Sequence, residues 1–138
     1  MSSDHQRRMT DERGSVLISG LLFSVALLIM IGAAVDISHA FIIRRHLVSL
    51  ADQAALSGSQ ALDLDAVHAG RIALDPQQAQ QVALEATAAE ARVRTRAQAS
   101  TGAIRVEVER QFPTVLLRLV GLSQLTVKAQ ATAAPRQP

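Results

Sequence analysis

Residues Gly14–Val35 read GSVLISGLLFSVALLIMIGAAV, a run without a charged side chain that is bounded by Arg13 and Asp36. An α-helix rises about 1.5 Å per residue, so about 20 of these residues cover roughly 30 Å, the thickness of the hydrocarbon core of a bilayer. A helix also satisfies its own backbone hydrogen bonds, as lipid requires. The stretch therefore predicts a transmembrane helix over residues 14–36.

Two other interpretations of the apolar run are weaker. A buried core helix needs a larger surrounding domain than the remaining chain of about 100 residues can form. A cleaved secretory signal would use Gly32-Ala33-Ala34 as its small-residue site, but the run exceeds the usual signal core of about 7–15 residues. We therefore expect the helix to be retained as a membrane anchor.

The flanks of the anchor carry nearly equal positive charge. Residues 1–13 are polar, are predicted to be disordered, and contain three arginines, whereas Arg44 and Arg45 lie on the other side. A short tail offers little to translocate. We therefore expect the tail in the cytoplasm and the rest of the chain outside it, in a single-pass arrangement in lipid.

Small side chains recur within the anchor. Ser15 and Ser19, and again Gly20 and Ser24, are spaced by four residues. This spacing allows helix backbones to approach closely in lipid. The four residues are candidates for helix packing in the membrane.

Composition excludes several kinds of site. The chain has no Cys, Trp or Tyr and a formal net charge of +2, which excludes disulfides and thiolate sites and argues against a nucleic-acid partner. No catalytic or phosphate-binding motif is present, so we predict no catalytic or cofactor residues and no small-molecule substrate. His39 with His46, and Asp63, Asp65 and His68, lack the spacing of a metal site.

The helical pattern continues beyond the anchor. Residues 37–62 contain no Pro and repeat apolar side chains every three or four positions, as in Ile43, Leu47, Leu50 and Ala54. Nothing between Val35 and Ile37 interrupts the helix. We predict one helix from about Gly14 to about Leu62, roughly 70 Å long, whose second half is amphipathic.

The remainder, residues 63–138, predicts a small head. Asp63–Asp75 is a connector, and Asp75-Pro76 is typical of a helix start, with the helix running to about Arg92. Apolar and polar side chains then alternate in Val93–Ala99 and in Ile104–Glu109, on either side of a turn containing Gly102. This pattern predicts a β-hairpin.

The end of the chain predicts a third strand. Residues 114–121, after Phe112-Pro113, favour a short helix or turn, and Leu125–Ala133 alternates apolar and polar side chains. The predicted class is α+β, with a long N-terminal helix that carries a small head. Its three-stranded antiparallel sheet is covered on one face by the second helix and by the distal part of the first.

Four charged residues of the hairpin are expected to face each other on the solvated side of the sheet. Arg94 and Arg96 lie on one strand, and Glu107 and Glu109 on the other. Opposite charges across neighbouring strands stabilise their pairing.

Several blocks resemble one known family. They are ERGSV (Glu12–Val16), AVDISHAFIIRRHLVSLADQAALSGSQAL (Ala34–Leu62), ALDLDAVHAG (Ala61–Gly70), LDPQQA (Leu74–Ala79) and VKAQATAAP (Val127–Pro135). Within them, a Val-Asp step, an arginine pair and an Ala-Asp block follow the apolar span. The chain resembles the TadE/TadG-like pilus assembly proteins, especially their short actinobacterial forms.

The resemblance implies a pilin-like architecture and a bitopic protein of the bacterial cell membrane that helps to assemble tight-adherence (Flp-type) pili, as a minor pilin or an assembly factor. Other pilus-assembly membrane proteins or pilins would be its partners. Members cut by a prepilin peptidase carry Glu five residues after the cleaved Gly. Counted from Gly14, that position is Ser19, which argues against processing between Gly14 and Ser15. The alternative function is an anchored extracytoplasmic binding or secretion-accessory module unrelated to pili.

Overall fold

The structure is a computed structural model that describes the backbone of residues 4–135 and the side chains of residues 14–135. Its first helix, α1, spans Asp4–Gly58 and is continuous across the apolar run. The helix thus differs from the predicted disorder over residues 4–13, while residues 1–3 lie outside the described part. Extending an existing helix avoids the cost of nucleation, and this segment is rich in good helix formers.

The predicted end of the first helix at Leu62 is also corrected. The helix stops at Gly58, and Leu62 instead forms an antiparallel bridge with Leu74. The amide of Asp63 donates to the carbonyl of Ala73 over 2.9 Å. Because Leu62 takes part in this bridge, the chain must leave the helix before it.

The chain divides into two compact units. The anchor unit consists of the N-terminal part of α1 through Ile37 together with Thr114–Ser123. The head unit consists of Ser38–Pro113 and the chain from Gln124 onward.

The head unit contains the predicted three-stranded antiparallel sheet. The strands are β1 (Val93–Ala99), β2 (Ile104–Pro113) and β3 (Gln124–Ala133), in the order β1-β2-β3. The register places Arg94 opposite Glu109 and Arg96 opposite Glu107, which confirms the predicted pairing. Lys128 of β3 adds an ion pair, with its Nζ 3.3 Å from Glu109.

Both predicted helical segments contribute to the core of the head unit. The core joins α1 to helix α3 (Pro76–Thr87) and to the inner face of the sheet. Its fully buried members include Leu47, Ala51, Ala54, Ala79, Ala83, Leu74, Ile104, Val106 and Val108. The small alanines allow close packing of the helices, and the β-branched residues cover the sheet.

Aspartates begin the two shorter helices. Asp75 accepts hydrogen bonds from the amides of Gln77 and Gln78 at 3.0 and 3.2 Å, which confirms the predicted start of α3. The connector contains a further short helix, α2 (Leu64–His68), which the sequence reasoning missed. Asp63 starts α2 by accepting from the amides of Asp65 and Ala66.

Candidate functional site

The apolar surface of α1 is the largest unusual feature of the anchor unit. Large side chains such as Val16, Leu17 and Met30 are 71, 74 and 68% exposed. The helix is long and apolar enough to cross a membrane, and only 6% of its most apolar window is buried. An apolar surface of this extent on a single helix calls for lipid or other helices around it.

The predicted packing residues lie on this surface. Ser15, Ser19, Gly20 and Ser24 are exposed, and a Cβ atom added to Gly20 would meet no described atom within 4 Å. The hydroxyl of Ser24 donates to the carbonyl oxygen of Gly20 over 2.9 Å. This bond satisfies the hydroxyl within the helix, which makes the surface suitable for lipid. The Gly14–Ser15 bond lies inside α1.

Asp36, at the end of the apolar run, holds a distant segment of the chain. Its side chain is buried, with 3% exposure. One carboxylate oxygen accepts from the amide of Val115 at 3.1 Å. The other accepts from the amides of Leu116 and Leu117 at 2.9 and 2.8 Å. The carboxylate thus binds three consecutive backbone donors.

These donors lead into a short 3-10 helix, Leu117–Val120, in which Leu117 is the first residue and Leu116 is the N-cap. Amides at the start of a helical turn have no partner within the turn, and they point in the same direction. A carboxylate placed against them satisfies several donors and neutralises their partial positive charge. Asp36 therefore caps a turn that belongs to another part of the sequence.

The capped segment, Thr114–Ser123, is a compact loop closed at its base. We refer to it as the capped loop. The amide of Thr114 donates to the carbonyl of Ser123 over 3.2 Å, and the Thr114 hydroxyl donates to the carbonyl of Leu122. Gly121 ends the 3-10 helix with a φ of 91°, a conformation that glycine adopts without strain. The ends of the loop are therefore fixed by its own hydrogen bonds.

A glycine lets the capped loop approach α1 closely. A Cβ atom on Gly32 would lie 2.3 Å from Cδ1 and 2.7 Å from Cβ of Leu116. These distances are too short for real carbon atoms, so any side chain at residue 32 would displace Leu116. Gly32 and Asp36 are four residues apart and lie on one side of α1, where they receive consecutive parts of the loop.

We expect Gly32→Val to push the capped loop away from α1. The added side chain would overlap Leu116 and lengthen the hydrogen bonds to Asp36, so the amides of residues 115–117 should exchange hydrogen about tenfold faster or more. Hydrogen exchange read by mass spectrometry of the detergent-solubilised chain measures this. Gly20→Val is the matched control, because space around Gly20 is open. Equal exchange in both variants would contradict the expectation.

The histidines and aspartates that were considered as metal ligands from the sequence do not form a metal site among the described residues. The ring of His39 lies 5.6 Å from that of Phe112, and His46 Nε2 lies 3.3 Å from Glu90 Oε1. The Asp63 carboxylate is engaged at the start of α2. Among the described residues, no three His, Cys, Asp or Glu side chains are placed to hold a metal ion.

In the sequence, Asp36 stands out only as the boundary of the apolar run and as part of a Val-Asp step. Its link with the loop is not visible there, because 79 to 81 residues separate the carboxylate from its donors. One signal was present: a single acidic side chain at the end of a long apolar helix requires a polar partner or water. The sequence does not identify which backbone donors fill that need.

Comparisons with known proteins point to one system. The family described as Tad-like Flp pilus-assembly matches residues 39–133, and the family described as Flp pilus-assembly TadE/G-like matches residues 14–61. The TadE/G-like match contains the apolar run with Gly32 and Asp36. The Tad-like match contains the capped loop. Neither the curated proteins nor the solved structures gave a significant match.

Proposed function

The chain belongs to the Tad-like Flp pilus-assembly family, and we propose that it is a membrane-anchored component of Flp-type pilus assembly, acting as a minor-pilin-like subunit or an assembly factor. In this proposal α1 crosses the bacterial cell membrane once. The N-terminus lies in the cytoplasm, and the head unit lies outside it. Family membership carries the proposal, and the exposed apolar surface of α1 supports the membrane position.

Physical reasons favour lipid around the anchor unit. Moving exposed side chains such as Val16 and Leu17 from water into lipid lowers the free energy. The exposed apolar side chains surround the helix instead of forming one stripe. The backbone of α1 is hydrogen-bonded within the helix, so insertion leaves few unsatisfied groups. Lipid is therefore the environment that this surface fits.

We also assign a packing face to the anchor. Each residue turns a helix by about 100°, so Ser24 and Gly20 lie about 120° and about 160° around α1 from Asp36. A second helix can therefore approach this face without displacing the capped loop. Ser15 and Ser19 form a second small-residue pair. In a chain without cysteine, a photoactivatable cross-linker attached to Ser24→Cys tests the Gly20–Ser24 face, and failure to cross-link to any pilus protein or second copy would argue against it.

The proposed role works through protein contacts and lipid rather than through a reaction. We propose that the partners are pilins or other membrane proteins of the pilus machinery. The proposal also keeps the anchor uncut, because Ser19 stands where a prepilin peptidase substrate would carry Glu. Mass spectrometry of the mature N-terminus tests this point, and a chain that begins at Ser15 would contradict it.

Gene deletion with complementation tests the function. We expect surface pili to be lost on deletion and restored by the intact gene, and we expect the full-length chain to stay in the membrane fraction after alkaline carbonate extraction. Pilus-machinery proteins should copurify with it. Unchanged pili, together with copurification of an unrelated ligand, would instead favour the secretion-accessory alternative.

A further inference from the structure

The capped loop exposes an unusual number of apolar side chains. Val115, Leu119, Val120 and Leu122 are 65, 71, 57 and 52% exposed. Loops on the surface of a protein in water are mostly polar, and clustered apolar side chains on them mark a contact.

The capped loop lies directly beside α1. Leu116 packs against Gly32, and Asp36 holds the amides that follow Val115 and Leu116. The loop therefore lies beside the last turn of the apolar run, roughly 6 Å of helix between Gly32 and Asp36. A bilayer that surrounds α1 up to Val35 reaches the loop at the boundary between acyl chains and headgroups.

The loop backbone is prepared for such a boundary. Irregular backbone is tolerated close to hydrocarbon only where its polar groups have partners. Asp36 and the loop's own carbonyl oxygens accept from most of the loop amides. Those amides belong to Thr114, Val115, Leu116, Leu117, Leu119, Gly121 and Leu122. The loop thus presents apolar side chains while most of its amide donors are already satisfied.

One charged residue on the loop fits the headgroup layer. Arg118 is exposed and lies within the 3-10 helix, next to Leu119. A long arginine side chain keeps its aliphatic part against apolar surface while its guanidinium group reaches phosphate oxygens. Leucines combined with a basic residue are typical of segments that lie in a membrane interface.

We propose that the capped loop is a second membrane contact, inserted into the headgroup–acyl boundary of the leaflet on the Asp36 side of α1. Val115, Leu119, Val120 and Leu122 enter the apolar part of that boundary, and Arg118 reaches the phosphates. Asp36 positions the loop at this depth. The proposal rests on the membrane anchoring of α1 proposed above.

Fluorescence quenching of the full-length chain in lipid vesicles tests the loop contact. Because the chain has no cysteine, single variants Leu119→Cys, Leu21→Cys and Gln98→Cys each accept one environment-sensitive fluorophore. All three side chains are exposed, so the label displaces little packing. Leu21 represents the apolar helix, and Gln98 represents the polar face of the sheet. The vesicles contain phosphatidylcholine with a minority of phosphatidylglycerol, at a low ratio of protein to lipid.

We expect bromine on the lipid acyl chains to quench the label at residue 119 about fivefold more than the label at residue 98, and to a degree similar to that at residue 21. If aqueous iodide quenches residue 119 as it quenches residue 98 while residue 21 stays lipid-quenched, the loop contact is wrong and the anchor stands. If neither quencher reaches residue 119, a protein surface covers the loop and the proposal is overturned. If iodide reaches residue 21, the anchoring itself fails, and the loop contact fails with it.

Discussion

Replacing Asp36 with alanine is expected to free the capped loop from α1. The substitution removes the acceptor of three backbone amides, and hydrogen bonds to a charged group each contribute about 1.5–3 kcal/mol. Allowing for water to solvate the released amides, a loss of about 3 kcal/mol raises their hydrogen exchange about 100-fold. Exchange of residues 115–117 in detergent micelles, read by mass spectrometry, measures the effect.

Two variants separate the role of Asp36 from a general effect of removing charge. Asp52→Ala removes an exposed carboxylate from the same helix and should leave exchange in the capped loop unchanged. Asp36→Asn keeps one acceptor oxygen and loses the charge, so its effect should lie between those of the wild type and Asp36→Ala. The cap would be refuted if exchange at residues 115–117 were the same in Asp36→Ala as in the wild type.

The second large effect is expected from Leu47→Ala in the head unit. Leu47 is fully buried between α1 and the sheet, in contact with the cluster that contains Ile104, Val106 and Val108. Truncation removes apolar contacts and leaves a cavity, which costs about 2–5 kcal/mol of unfolding free energy. Calorimetric unfolding of the detergent-solubilised chain should show a lower melting temperature.

Leu56→Ala is the matched control for Leu47→Ala. Leu56 is on the same helix and has the same side chain, but it is 51% exposed. Its truncation should cost less than about 1 kcal/mol. Similar losses in the two variants would show that the sheet does not pack on the Leu47 face of α1.

The parts of the fold that follow from local patterns were predictable. The alternation of side chains located β1 at Val93–Ala99 and brought the predicted third strand within one residue of the observed β3. The Asp75-Pro76 pair located the start of α3, since both residues favour a first helical turn. The apolar repeat in residues 37–62 identified the face of α1 that packs in the head unit, including Ile43 and Leu47.

Element ends were less predictable because they depend on the surrounding structure. Helix α3 ends at Thr87 instead of about Arg92, and Arg92 has a φ of 66° just before β1. The sequence from Ala88 to Arg92 is compatible with a helix. The chain nevertheless leaves the helix after Thr87, because β1 begins at Val93 and must be extended to pair with β2. Similarly, β2 continues to Pro113, beyond the predicted end at Glu109, because β3 pairs with it as far as Gln124.

The candidate site was the least predictable part. Its central interaction joins a side chain to backbone amides, and every residue except proline has such an amide. No residue type in Val115–Leu117 therefore reveals that Asp36 binds there. The exposed small residues of the anchor were visible in the sequence, whereas the contact of Gly32 with Leu116 required the structure.

The distance in sequence between Asp36 and its donors has a consequence for biosynthesis. The amides of Val115 to Leu117 follow Asp36 by 79 to 81 residues. At about 5–20 residues per second, the ribosome delivers them about 4–16 s after Asp36 has emerged. During that interval these three amides are not yet available to the carboxylate. A nascent chain interrupted before residue 115 therefore lacks all three amides that bind Asp36 in the finished protein.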